Sequence, residues 1–296
     1  ENFFLCLLRA LCGLFPPTAP AWIIIFPMIP SLFTDTDIQT ILTWMRSAGE
    51  IALRWRDHFS IHIKPDQTPV TEAEHEIEDL FTAQIRARFP GHAVLSEESG
   101  ASGPRSDTTW VIDPIDGTRP YIWGMASWGV SVGVIHNGQP AAGFFYSPMV
   151  EEMHWGWQGG AYCNGRPYPG LDQRRYLDKL VFLAIPSNAH LRYDITYPRI
   201  KALGSTAAHL AYLARGHAAG ALIRSVYLWD FAPFLCIYEQ LGIHIEGYSG
   251  AQLDLPTLLT GQATREDLLA APTAWLPELR AQIKKRETTG FAGHFK

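Results

Sequence analysis

Between residues 36 and 59 the apolar positions Ile38, Ile41, Leu42, Met45, Ala48, Ala52 and Trp55 recur three and four apart, which predicts an amphipathic helix with Thr36 and Gln39 as its capping box. A short extended piece at 61–64 and a turn at Asp66-Gln67-Thr68-Pro69 follow. A second helix starts at Thr71 and carries Ile77, Leu80, Phe81, Ile85 and Phe89 until Pro90-Gly91 ends it. The period then shortens. Residues 93–95 and 110–112 are continuous apolar runs expected as buried strands, the second stopped by Asp113-Pro114, because proline cannot continue a ladder. Residues 128–135, 141–146 and 151–157 alternate or run apolar, with Asn137-Gly138 as a hairpin turn, and 159–167 closes the resulting antiparallel sheet. The small polar stretch 100–107 reads as a flexible loop that could lie over a functional site. After a connection at 171–179, strands at 180–185, 218–223 and 268–271 are separated by helical stretches after 185, over 204–215, over 229–241 and over 275–283. The order of elements predicts an α+β architecture with an N-terminal half, 34–175, a smaller C-terminal half, 176–286, and a disordered polar tail, 287–296.

Composition narrows the setting. A chain of 296 residues with 47% hydrophobic and 18% charged residues can build one large core or two joined subdomains. The net charge of −5 and the lack of a basic run give nucleic acid no electrostatic footprint. An acidic chain that handles phosphate needs cations between the like charges. Cys6, Cys12, Cys163 and Cys236 lack CxxC spacing, so a reducing compartment is expected and no zinc site follows from their spacing; the histidines read as core or surface residues. Residues 1–33 are apolar but broken by Arg9 and by Pro16, Pro17, Pro20, Pro27 and Pro30, too short in any run to span a bilayer. They read as a signal or anchor segment, or as an upstream extension outside the natural fold. The second reading is preferred, and with it no stable membrane insertion and a cytoplasmic location.

Candidate chemistry concentrates at Trp110-Val111-Ile112-Asp113-Pro114-Ile115-Asp116-Gly117-Thr118. Two carboxylates three residues apart in a proline-stiffened turn repel one another unless a hard cation joins them. Gly117 lets backbone N–H groups approach an anion, and Thr118 opens a helix. Acids, a metal and an anion cradle suggest phosphate chemistry. Asp113 and Asp116 are too close on one turn to flank a sugar bond, which leaves a glycosidase poorly supported.

This nonapeptide resembles the W-[IV]-[IV]-D-P-[IL]-D-G-T signature of the inositol monophosphatase family of Mg-dependent, lithium-sensitive phosphatases. Lys64-Pro65-Asp66 with Thr68-Pro69-Val70-Thr71-Glu72-Ala73, then Ser96-Glu97-Glu98-Ser99, then Trp229-Asp230-Phe231-Ala232 support the resemblance in the family's order. It implies a layered α-β-α-β-α sugar-phosphatase fold. It also implies two or three Mg2+ held by Glu97, Asp113, the Ile115 carbonyl, Asp116 and Asp230, with Glu97 shared between ions as part of the catalytic set. Glu74 stands where the family has an aspartate that orients the attacking water with Thr118; as third residue after Thr71 it equally completes a capping box. The backbone of Gly117 and Thr118 would receive a phosphate oxygen. Ser205, in the family's G-S/T-A segment, is a substrate contact or an ordinary N-cap. Arg119 touches phosphate or is solvated. Inositol- and histidinol-phosphate-specific members carry a glutamate seven positions before the last metal aspartate, where this chain has Ile223; neighbouring Arg224 could serve an extra phosphate. Glu239-Gln240-Leu241-Gly242 replaces the usual E-A-G-G, and 252–255 resembles the family's last strand region. The expected activity is hydrolysis of inositol 1-phosphate or another small sugar or polyol phosphate. The rivals are a 3′(2′),5′-bisphosphate nucleotidase, a histidinol-phosphate phosphatase, and a weakly active regulatory binding protein. A small phosphorylated substrate is the expected partner, and a homodimer is compatible with the resemblance.

Overall fold

The computed structural model describes residues 32–158, 160–171 and 180–286, so most of the 1–33 leader, the 172–179 connection and the 287–296 tail lie outside the described residues. The first helix, α1, runs Asp35–Trp55. Its cap lies two residues earlier than the Thr36/Gln39 signature: Thr34 N–H donates to Asp37 Oδ2 at 2.8 Å and Asp37 N–H to Thr34 Oγ1 at 3.2 Å. An anionic Asp37 is a stronger partner than an amide for the positive helix start, and Arg88 Nε at 2.8 Å from Oδ1 ties it to the next helix. The extended piece pairs His62–Ile63 (β1) with Pro69–Val70 (β2). Helix α2, Glu72–Arg88, starts at the Thr71/Glu74 capping box as expected.

The larger sheet contains Ala93–Ser96 (β3), Gly100–Ser102 (β4), Thr108–Asp116 (β5), Gly129–His136 (β6), Gln139–Ser147 (β7), Glu152–Trp157 (β8), Gly160–Cys163 (β9) and Arg166–Pro167 (β10), in the order β10-β9-β8-β7-β6-β5-β3-β4. The β6–β7 hairpin turns at Asn137 (φ 51°) and Gly138 (φ 73°), both in the left-handed region that a primed turn requires. Two expectations fail here. The flexible loop expected at 100–107 begins as β4, an edge strand that pairs antiparallel with β3. Strand β5 does not stop at Asp113: Asp113 faces Ser131 and Asp116 faces Gly129, so three steps on β5 match two on β6. The extra residue is a bulge, the place where a strand tolerates a proline such as Pro114. In a regular strand side chains three apart point to opposite faces; the inserted residue brings Asp113 and Asp116 to one side.

A short helix, α3 (Thr118–Ile122), follows β5. The second sheet holds Phe182–Ala184 (β11), Ile200–Lys201 (β13), Ala218–Ile223 (β14), Ile243–Gly247 (β15) and Leu268–Pro272 (β16), ordered β13-β11-β14-β16-β15. The stretch after 185 is not helical. Beyond a single 3-10 turn at Ala189–Leu191, Tyr193–Ile195 (β12) pairs with Ile283–Lys285 (β17), because aromatic and β-branched residues and Pro198 favour extended chain. Residues 252–255 form no strand; Asp254 caps a four-residue helix, Leu255–Leu258.

Helices α4 (Thr206–Ala214) and α5 (Ala232–Glu239) lie between the sheets. The approach of α5 is set by glycines. Gly133, Gly143 and Gly156 face one another on β6, β7 and β8, and a Cβ on Gly143 would sit 1.9 Å from the Pro233 carbonyl oxygen. Helix α1 packs against the opposite face, where Tyr146 and Pro148 meet Gly49, and Trp110 is enclosed by Phe33, Trp44 and Phe89. The far face of the second sheet is covered by Leu276 and Leu279 of a last helix, Leu276–Gln282. The layers are therefore α1/α2, sheet, α4/α5, sheet, and the last helix, the α-β-α-β-α arrangement that the resemblance implied.

Candidate metal and phosphate site

Three carboxylates converge where the β5 bulge meets the starts of α4 and α5. One oxygen from each of Asp113, Asp116 and Asp230 lies within 4.8 Å of the others. Each is positioned by its own element. Asp113 Oδ1 accepts the Ile115 N–H at 3.0 Å, so the bulge backbone orients it. Asp116 Oδ2 accepts the Ser205 hydroxyl and the Ala207 N–H, the latter at 2.9 Å, both from the first turn of α4. Asp230 Oδ2 accepts the Tyr227 N–H at 2.7 Å. Ser131, the residue opposite Asp113, donates its hydroxyl to the Trp229 carbonyl at 2.9 Å and so pins the segment next to Asp230 against the sheet.

Burial first, then the charges of Glu97, Asp116 and Asp230, holds Asp113 well above the usual carboxylate range. Burial likewise raises Asp230, reinforced by Asp116 and Glu97. Burial pushes Asp116 up to about 7, although the Ser205 and Ala207 hydrogen bonds pull the other way. Two buried carboxylates and a half-buried third without a cation among them are costly, and oxygen-only donors with Ile115 lining the same cavity suit a hard divalent ion.

Glu97 lines the same cavity, about 180 Å³, but stands apart from the tight aspartate trio. Lys64 Nζ contacts Glu97 Oε1 and Glu98 Oε1, each at 2.9 Å. Burial works against the Lys64 charge, yet the two glutamates raise its pKa well above the ordinary lysine value. Glu74 serves both of its sequence readings at once: Oε2 accepts the Thr71 N–H at 2.6 Å, and Oε1 accepts the Thr118 hydroxyl at 2.8 Å. Burial and then the charges of Glu98 and Glu97 push it up to about 8, against the pull of the Thr118 bond. Gly117, at φ 93°, caps α3, and a Cβ there would meet the Ser205 Cβ at 2.8 Å.

The geometry places two candidate substrate contacts elsewhere. The Ser205 hydroxyl is committed to Asp116 and to the Ala208 N–H at 2.9 Å, so it holds a carboxylate and caps α4; its neighbours Gly204 and Thr206 line the cavity instead. Arg224 is not brought to the cavity. Its guanidinium reaches Asn188 at 2.9 Å and Asp267 at 3.3 Å. Arg119 does line it. Sequence reasoning gave no role to Lys64 or Ser131: Lys64 carried a signal in its motif stretch, while a serine inside an apolar strand carried none. A larger cavity, about 680 Å³, opens between α1 and strands β8 and β9, and its acids Asp35 and Glu151 are both exposed.

Residues 35–275 match the model of the inositol monophosphatase family. This chain belongs to that family. Its members are phosphoric monoester hydrolases, and so is this protein. Inositol monophosphatase 1 of Sus scrofa is 28% identical over 233 residues, covering 72% of this chain and 84% of that protein. The histidinol-phosphatase of Chlorobaculum parvum is 30% identical over 229 residues, covering 73% and 87%. Among solved structures, the extragenic suppressor protein suhB from Bartonella henselae superposes with a TM-score of 0.72 at 21% identity, over 83% of this chain and 97% of its own. An IMPase/NADP phosphatase complexed with Mg2+ and phosphate gives 0.70 at 15% identity, over 85% and 97%. As an inositol monophosphatase family enzyme the chain has the layered sugar-phosphatase fold. No helix among its described residues is long and apolar enough to cross a membrane.

Proposed function

We propose that this enzyme is a Mg2+-dependent phosphomonoesterase for inositol 1-phosphate or a similar small polyol or sugar phosphate. The observation that carries the reading is the convergence of Asp113, Asp116 and Asp230 at one cavity with Thr118, whose hydroxyl donates to Glu74. Those aspartates, Glu97 and the Ile115 carbonyl would hold two or three Mg2+. Bound Mg2+ supplies Lewis-acid stabilisation of phosphate charge and makes water more acidic. Thr118 and Glu74 orient that water and take its proton: the Thr118 hydroxyl is on the cavity wall, and the buried Glu74 carboxylate accepts its hydrogen bond. Backbone N–H groups at Gly117 and Thr118 receive a phosphate oxygen, in a strand-to-helix turn that only a residue without a Cβ can pack against Ser205. Water attacks phosphorus in line, the P–O ester bond breaks, and the alkoxide leaves with a proton as the free alcohol.

The pocket around the departing alcohol lacks the family's specificity glutamate. Ile223 is 2% exposed in the core between the sheets, and Arg224 is engaged with Asp267 and Asn188. This supports a permissive enzyme, and keeps histidinol phosphate beside inositol 1-phosphate as a substrate to compare. The test is phosphate release from inositol 1-phosphate, histidinol phosphate and adenosine 3′,5′-bisphosphate with Mg2+, with Mg2+ plus Li+, and with chelator, for the wild type and Asp113→Asn. Mg2+-dependent release from the first two substrates, abolished by the substitution, is expected. Release strongest from the bisphosphate would make it a nucleotidase, and binding of Mg2+ without turnover would make it a binding protein.

A further inference from the structure

A second cluster of ligand-type side chains stands on the face of the larger sheet that packs against α4. Glu152 and His154 are two apart on β8 and so share a face, and Cys163 on β9 is the direct cross-strand partner of His154. One ligand atom from each lies within 4.8 Å of the other two. We infer that Glu152, His154 and Cys163 form a binding site for a zinc-class divalent metal ion, separate from the phosphate site.

The orphaned imidazole nitrogen is the independent observation. His154 is 1% exposed, and its Nε2 has no hydrogen-bond partner among the described residues. It faces Glu152 Oε2 at 3.4 Å. Two ligand atoms, each about 2.0–2.1 Å from a tetrahedral ion, are about 3.3–3.4 Å apart, so this pair already has the spacing of a coordinated one. The other ring nitrogen, Nδ1, is hydrogen-bonded to the Tyr168 hydroxyl, the outer contact that commonly fixes a ligand histidine. Arg215 takes Oε1 of Glu152 and leaves Oε2 for an ion, while its positive charge makes the site weaker than a closed structural one.

Access and selectivity follow from the surroundings. A cavity of about 180 Å³ lined by Ser127, Ser147, Glu152, His154, Tyr212 and Arg215 reaches the cluster and leaves a position for water. Nitrogen and sulfur donors disfavour Mg2+ and suit Zn2+ or Co2+, so the two sites sort metals by donor chemistry. Coordination replaces the S–H bond of Cys163 with a sulfur–metal bond, and the proton goes to solvent. Arg215 caps the C-terminal end of α4, whose first turn holds Asp116; at 1.5 Å per residue the sites stand about 15 Å apart.

Co2+ is the probe, added to the full chain in excess Mg2+. One equivalent is expected to produce a thiolate-to-cobalt charge-transfer band and to release about one proton per ion bound. The band should disappear on adding Zn2+, persist in Asp113→Asn, vanish in folded Cys163→Ser, and need at least about tenfold more Co2+ in His154→Gln. Lack of the band in the wild type would overturn the inference, and so would its survival in Cys163→Ser, because the remaining thiols would then be its source.

Discussion

Glu74 divides its two oxygens between a structural and a chemical partner, and the two can be separated. Glu74→Gln keeps an oxygen for the Thr71 cap but cannot take a proton from water. Phosphate release should therefore fall by about 10²–10⁴ while the melting temperature barely moves; a large loss of stability with intact turnover would assign Glu74 to the cap alone. Ser205 is the opposite case, a residue expected at the substrate whose hydroxyl lies on Asp116. Ser205→Ala should weaken Mg2+ binding by about 10–100-fold, read by Mg2+ titration of activity, and cost about 1 kcal/mol as a lost cap. An unchanged Mg2+ dependence would show that the Ala207 N–H suffices to hold Asp116. The Glu74 cap was legible because Thr71 and Glu74 are three residues apart. The Ser205–Asp116 bond joins residues 89 apart, and Arg224 was drawn to Asp267 across 43 residues, separations that no local pattern encodes.

At the scale of elements, the site depends on how closely α5 approaches the sheet. The glycine row Gly133, Gly143 and Gly156 lets the helix backbone rest on the strands, and Asp230 precedes that helix by two residues. Gly143→Ala would force a methyl group against the Pro233 carbonyl. We expect a loss of at least about 1–3 kcal/mol in chemical denaturation and weaker Mg2+ binding as Asp230 shifts. Gly91→Ala is the control, since nothing lies within 4 Å of its added methyl; equal effects from the two would refute the packing argument. Helix and hairpin periodicities predicted most elements in this sheet. The bulge was missed because proline in a strand reads locally as a stop, whereas the pairing of β5 with β6 accommodates one extra residue.

For the whole molecule, the acidic site couples stability to pH and metal. Without metal the native state holds Glu74 protonated up to about 8 and Asp116 up to about 7, whereas an unfolded chain releases those protons in the ordinary carboxylate range. Between those limits the native state binds more protons, so stability falls as pH rises. With chelator, the melting temperature should decline from about pH 5 to about pH 8, and the gain on adding Mg2+ should widen across that window. A chelated protein that grows more stable over the same range would show that these carboxylates stay ionised without metal. What the chain by itself determined is the chemistry available: the D-P-I-D-G-T turn, the following Trp229-Asp230 and the local caps are short-range patterns, and they suffice to name family and reaction. Tertiary structure alone decided which donors meet. The bulge turned Asp113 and Asp116 to one side, the glycine row admitted α5 with Asp230, and strand register set His154 opposite Cys163, because face and register are properties of paired strands rather than of either strand's sequence.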